Sequence, residues 1–212
     1  MSTNEGRNLA PSDWQRFWDT GDTLWDVGKP NIALMQLLEE RAYKLPEGTG
    51  LVAGCGAGYD VIYLAQRGHA TAGLDVSETA IQKAKQLASN SGLSPSAIAE
   101  NISWIVGDFY SFKLPEALFQ FAYDFTFFCT VFPTDRPRWA KRYSEIISSG
   151  GQLITLMYPM EEHGKNPPPF ILSEEIYHQA LDPYFELTYI DRDPAKEPPR
   201  TSKMVMAVWT RK

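Results

Sequence analysis

At 212 residues, with 43% hydrophobic and 22% charged residues, the chain suits one soluble globular domain with a sizeable core. A net charge of −6 argues against a nucleic-acid surface, which needs clustered cations to neutralise phosphates. The N-terminus is polar, and no apolar 18-residue run or signal-peptide pattern is present, so no membrane partner is expected. Two cysteines, Cys55 and Cys129, make neither a disulfide framework nor, with three scattered histidines, a metal site. The expected setting is a reducing one, the cytoplasm, and the expected form a monomer.

The first feature along the chain is "DWQRFWDTGDTLWDVG", with three of the six tryptophans in a dozen positions. Trp14 and Trp18 stand at i, i+4 and share a face if the segment is helical, and Trp25 follows the turn-like "DTGD". Two readings follow from that spacing. One is an amphipathic helix pinned to the core. The other is a lid whose rings attract a cation and close a pocket against water.

"TGLVAG" then reads as a short strand and "YDVIYLAQRG" as a helix stopped by Gly68. "ATAGLDV" is a second strand, and "SETAIQKAKQLASNSG" a helix capped by Ser77 and closed at Gly92. "ISWIVGD" and "FAYDFTFF" are the third and fourth strands. "TDRPRWAKRYSEIISSGG" is expected to be a helix with Trp139, Tyr143, Ile146 and Ile147 on one face, ended by Gly150 and Gly151. "QLITLMYP" is a fifth strand, "SEEIYHQALDP" a helix from Ser173, and "YFELTYIDRD" and "KMVMAVWTRK" two last strands. Strand alternating with helix implies a doubly wound, mostly parallel α/β sheet of seven strands. Residues 1–45 form an N-terminal aromatic and helical segment, and residues 46–212 the core of the same domain.

Such sheets bind ligands beyond the carboxyl ends of their strands. "GCGAG" lies at one of those ends. Gly54, Gly56 and Gly58 permit a tight turn and leave no Cβ between backbone and ligand, while the helix that follows favours an anion. Asp75 ends the second strand about twenty residues on, where a carboxylate can grip ribose hydroxyls. Taken together, these features indicate a nucleoside-containing ligand; taken singly, each is a turn. The dinucleotide fingerprint is G-x-G-x-x-G, whereas these glycines run G-x-G-x-G, which favours S-adenosylmethionine over NAD. Asp108, ending the third strand in "GDFY", can accept from an adenine amino group, with Phe109 covering the ring or offering its backbone N–H. A plain strand-end turn is the alternative.

The segments "W…FW…LWDVG", "LVAGCGAGYD", "GLDVSETAI", "DFTFFCTVFPTDRPRWA" and "GGQLITLMYP…PPPF" resemble the thiopurine S-methyltransferase superfamily, in particular its plant and fungal thiol, halide and thiocyanate methyltransferases. The likeness runs from about Trp14 to Trp209. It implies a class I methyltransferase fold with S-adenosylmethionine as donor and S-adenosylhomocysteine as product. It also implies that Trp14, Trp18 and Trp25 line the donor pocket, with Gly54 at the methionine part, Asp75 at the ribose, and Asp108 with Phe109 at the adenine; Gly56 is a further donor-binding residue. Phe125 stands where relatives often carry a tyrosine near the donor. Ala53 replaces a proline common in the plant enzymes, and Tyr59 a common histidine; Tyr59 and Phe125 bear on the acceptor pocket.

The expected reaction is in-line methyl transfer to a small soft acceptor such as a thiol, halide or thiocyanate. An anionic acceptor needs no strong general base, and no nucleophile–His–Asp series presents itself. His163, in the loop after strand five, and Arg136, in "TDRPRWA", are the candidates for touching an acceptor; a solvated histidine and a structural ion pair are the alternatives. Transfer to oxygen or nitrogen of a small metabolite, and a donor-binding module without catalysis, are the competing functions.

Overall fold

The computed structural model describes residues 8–161, 167–196, 198 and 202–212. Its centre is a seven-stranded sheet in the order β3-β2-β1-β4-β5-β7-β6. The strands are β1 (Gly50–Ala53), β2 (Thr71–Asp75), β3 (Ile102–Val106), β4 (Phe119–Phe125), β5 (Ile147–Met157), β6 (Phe185–Asp191) and β7 (Val205–Arg211). The first five pair in parallel, and β7 is antiparallel to both β5 and β6.

Alternation along the strands feeds two cores. Val205, Ala207 and Trp209 of β7 enter one layer, and Met206 and Val208 the other. The first layer is closed by α6 (Arg136–Ile146) and α7 (Glu174–Leu181), through Trp139, Tyr143, Tyr177 and Leu181. The second is closed by α2 (Ile32–Glu39) and α3 (Tyr59–Gln66), with Ala88 of α4 (Glu78–Ser89) joining them. Leu34 and Leu37 of α2 are buried there, so this helix is an integral part of the core. α1 (Pro11–Thr20) instead packs on α4.

Ser77 and Ser173 cap α4 and α7 as their positions predict, each hydroxyl accepting a backbone N–H three residues on. A further helix, α5 (Pro95–Asn101), escaped the sequence reading although Ser94 caps it and Pro95 opens it.

One expectation is corrected. α6 stops at Ile146, and Ile147 opens β5 instead of lying on the helical face. Ile147 pairs with Phe119, after which the register shifts, and Gly150 adopts a φ of 78°. A Cβ on Gly151 would lie 2.7 Å from the Gln120 carbonyl oxygen. The glycine pair therefore marks a bulge inside a long strand, a role glycine fills as readily as a helix stop.

Candidate functional site

The strand order reverses between β1 and β4, and there, beyond the carboxyl ends, the structure opens a cleft of about 770 Å³. Its floor is the turn from Gly54 to Ala57. Gly54 and Gly56 take left-handed φ values of 61° and 53°. The space each leaves is used by the protein: a Cβ on Gly54 would lie 2.9 Å from the Phe127 ring, and one on Gly56 3.0 Å from Trp18. Gly58 stands apart from the cleft lining. Its absent Cβ makes room for Trp104 at 2.5 Å and Ala84 at 2.9 Å, so it seats α3 closely on β3 and α4.

Asp75 closes one side. Its Oδ2 accepts the Gly56 N–H at 2.9 Å and its Oδ1 the Ser77 N–H at 2.9 Å. The carboxyl is 8% exposed, and burial raises its pKa against the opposing pull of the hydrogen bonds from Ser77, Gly56 and Val76. Three N–H groups on about four acceptor positions leave room for a further donor from a ligand. Asp108 sits at the tip of β3 and accepts the Tyr110 N–H at 2.7 Å. Phe109 lines the cleft but is itself core: its ring packs 4.8 Å from Tyr143 and 5.1 Å from Phe127. Its backbone, more than its ring, is what it can offer a ligand.

The three N-terminal tryptophans come together over this floor. Trp25 lies 5.4 Å from Trp14 and 6.4 Å from Trp18, edge to face, and all three line the cleft. Phe17, which the tryptophan spacing passed over, completes the cluster at 5.6 Å from Trp25. Polar bonds tether the segment to α4: the Gln15 side-chain Oε1 accepts the Glu78 N–H at 2.8 Å, and Asp26 pairs with Lys83 at 2.9 Å.

Phe125 lines the opposite wall with Tyr158 and Pro167–Pro169, residues that motif reading did not single out. The turn beyond Phe125 is strained, for Thr126 has a φ of 57°. Asp124 holds it. This carboxyl is 1% exposed and accepts from Phe128 N, Trp139 Nε1 and Tyr143 OH, each at 3.0 Å. Burial pushes its pKa up to about 6. An acid inside the apolar run "FAYDFTFF" was the signal for it.

Arg136 is half-buried outside the cleft lining, its guanidinium 5.7 Å from Phe128 and 5.9 Å from Phe170, with Nε buried and unbonded. Burial lowers its pKa. His163 falls outside the described residues. Cys55 and Cys129 form no disulfide, and burial drives the pKa of the Cys55 thiol upward, which disfavours the thiolate. Among the described residues no cluster could hold a metal, and no helix is long and apolar enough to cross a membrane.

The residues fit an adenosyl sulfonium donor. Six aspartates and one lysine line the cleft, a charge balance suited to a cation, and the Asp75 and Asp108 carboxylates stand on neighbouring strand tips.

Comparison with known proteins agrees. The sequence model described as "Thiopurine S-methyltransferase (TPMT)" matches residues 9–211. The chain is 37% identical over 187 residues to "Probable thiol methyltransferase 2" of Arabidopsis thaliana, spanning 87% of this chain and 79% of that one. It is 34% identical over 197 residues to "Thiocyanate methyltransferase 1" of Brassica oleracea, spanning 92% and 83%. Among solved structures, a 1,6-didemethyltoxoflavin-N1-methyltransferase from Burkholderia thailandensis with bound S-adenosylhomocysteine gives a TM-score of 0.71 at 19% identity, over 95% of this chain and 87% of that one. Magnesium protoporphyrin IX methyltransferase from Synechocystis PCC 6803 with bound S-adenosylhomocysteine also gives 0.71, at 15% identity, over 95% and 99%. These two establish the class I methyltransferase fold.

Proposed function

The chain belongs to the thiopurine S-methyltransferase family and is an S-adenosylmethionine-dependent methyltransferase, and from that premise we propose that it methylates the sulfur of small thiols, with thiocyanate and halides as further soft acceptors. The names of the relatives support a sulfur acceptor. The observation that carries the reading is the cleft itself: it is lined both by the carboxylates at the β2 and β3 tips and by an apolar wall of Phe125, Tyr158 and Pro167–Pro169.

Bound at the strand tips, S-adenosylmethionine would supply an electrophilic methyl group whose loss leaves a neutral thioether. The chain's residues then have three tasks. Gly54 and Gly56 present backbone to the methionine end, Asp75 receives ribose hydroxyls, and Asp108 receives the adenine amino group beside the Phe109 backbone. Trp14, Trp18 and Trp25 cover the cleft and exclude water, and their ring faces favour a sulfonium. Phe125 and Tyr158 orient the acceptor, and such orientation can supply about 7–11 kcal/mol of a barrier.

Proton abstraction has little support inside. Four of the six lining carboxylates, Asp26, Asp60, Asp75 and Asp108, already accept from Lys83 or from backbone N–H groups, which leaves Asp22 and Asp135, and the described lining holds no histidine. An acceptor that arrives as a thiolate suits such a site better than a phenol or an amine.

We place the reaction in the cytoplasm, a reducing setting that suits a chain whose two cysteines form no disulfide, and we expect a monomer. Among the described residues the large exposed hydrophobics, Leu24, Val106 and Ile171, lie on separate segments. The decisive experiment measures turnover with labelled donor on an aryl thiol, iodide, thiocyanate and a phenol of similar shape. Methylation of the thiol well above the phenol is expected; a phenol preference overturns the sulfur assignment.

A further inference from the structure

The turn carrying Asp108 leaves the sheet after Val106 and runs to Phe112 outside any strand. Asp108 itself closes it from within, its carbonyl accepting the Ser111 and Phe112 N–H groups at 3.0 and 2.8 Å. The carbonyls of Phe109 and Phe112 need partners from elsewhere, and Arg142 of α6 provides both: Nε donates to Phe109 O at 3.0 Å and Nη2 to Phe112 O at 2.8 Å. Its guanidinium also lies 5.1 Å from the Phe112 ring. The side chain is 12% exposed and stands behind the wall, outside the residues that line the cleft. The next residue, Tyr143, holds the same turn through the Phe109 ring.

We propose that Arg142 is a positioning residue for donor recognition, fixing from behind the turn that aims the Asp108 carboxylate and the Phe109 backbone at the adenine. The proposal rests on the reading of Asp108 as the partner of the adenine amino group. A planar fork with several fixed N–H vectors suits two carbonyls of one turn, whereas an ammonium on a flexible stem serves as a point charge. The Gly107 N–H, donating to Asp75 O at 2.9 Å, ties the start of the turn to β2, and the Phe109 ring anchors its middle on Tyr143; the Arg142 fork is the side-chain partner that joins the Phe109 and Phe112 carbonyls.

The test compares wild type, Arg142→Met and Arg142→Lys by calorimetry with S-adenosylhomocysteine and with S-inosylhomocysteine, which has a carbonyl in place of the adenine amino group. Wild type is expected to prefer the adenosyl ligand. Arg142→Met should bind it about tenfold more weakly, the equivalent of one lost charge-assisted hydrogen bond, and lose most of the preference. Arg142→Lys should fall between the two. The acceptor KM at saturating donor should stay within about twofold, because the acceptor wall is built from other turns.

A generally loosened fold would weaken both ligands alike and leave their ratio unchanged, so an unchanged ratio overturns the proposal. If the methionine variant does not fold, the lysine variant decides on the same ratio. A wild type that retains S-adenosylhomocysteine without preferring it overturns the Asp108 reading and this proposal with it. A wild type that retains neither ligand overturns the donor assignment as a whole.

Discussion

The Gly56 N–H donates to Asp75 Oδ2 at 2.9 Å, so the turn after β1 and the tip of β2 form one unit. The other oxygen ties that unit to the start of α4 through Ser77. Asp75→Ala should therefore weaken S-adenosylhomocysteine binding by about 1–3 kcal/mol, from the unpaired turn N–H as well as the lost ribose contact. Isothermal titration checks this, and an unchanged dissociation constant removes Asp75 from the site.

The neighbouring glycines separate two effects. Gly58→Ala meets Trp104 at 2.5 Å and Ala84 at 2.9 Å outside the cleft, so it should lower Tm by several degrees and leave donor affinity near wild type in the folded fraction. Gly56→Ala pushes on Trp18 from the cleft floor and should act chiefly on donor affinity. Scanning calorimetry beside ligand titration reads both. Equal melting losses with equal affinity losses would contradict the division.

Asp124 predicts a pH dependence. Its carboxyl keeps its proton to about pH 6 in the folded chain, above the ordinary carboxyl value in the unfolded one. Between those values the native state binds the extra proton, so this group's contribution is full below about pH 4 and is lost as pH rises through about 6. Urea midpoints for wild type and Asp124→Asn, at pH 4.5 and 6.5, test the sign: the advantage of wild type over the variant should shrink at the higher pH. The variant should also be less stable at both, because its amide nitrogen must face the Phe128, Trp139 or Tyr143 donors. An advantage that grows with pH would show that the site's proton balance runs the other way.

Trp18 is buried in a small cluster with Ala57 and Ala80, apart from the two main cores. Trp18→Ala should undock α1 locally, raising the donor dissociation constant about tenfold while Tm shifts by only a few degrees. A collapse in melting temperature with intact affinity would make this ring a pillar of the fold and not part of a cover.

The architecture was readable because its signals are local. A strand followed by glycine, a helix opened by Ser77 or Ser173 and the alternation of "MVMAVW" each depend on a few adjacent residues. Tertiary partners were not readable in this way. Phe127, Trp18 and Trp104 approach the three glycines from three separate segments, and no spacing in "GCGAG" announces a ring. Gly150 and Gly151 could stop a helix or bulge a strand; the pairing of Ile147 with Phe119 and the close approach of Gly151 to Gln120, both far upstream, decided it. The acid in "FAYDFTFF" went unremarked in reading that stretch as a strand, and its three donors lie on α6 and beyond a strained turn. The tryptophans were legible as a cluster, though not Phe17 among them.

The antiparallel course of β7 carries the chain at Arg211 to the foot of the sheet, where Arg211 pairs with Phe185, while Met157 and Val205 mark the upper rim. Asn8 and Leu9, by contrast, sit on the cleft itself. A probe attached at Arg211 therefore stands far from the chemistry, and one attached at Asn8 or Leu9 reports from its doorway.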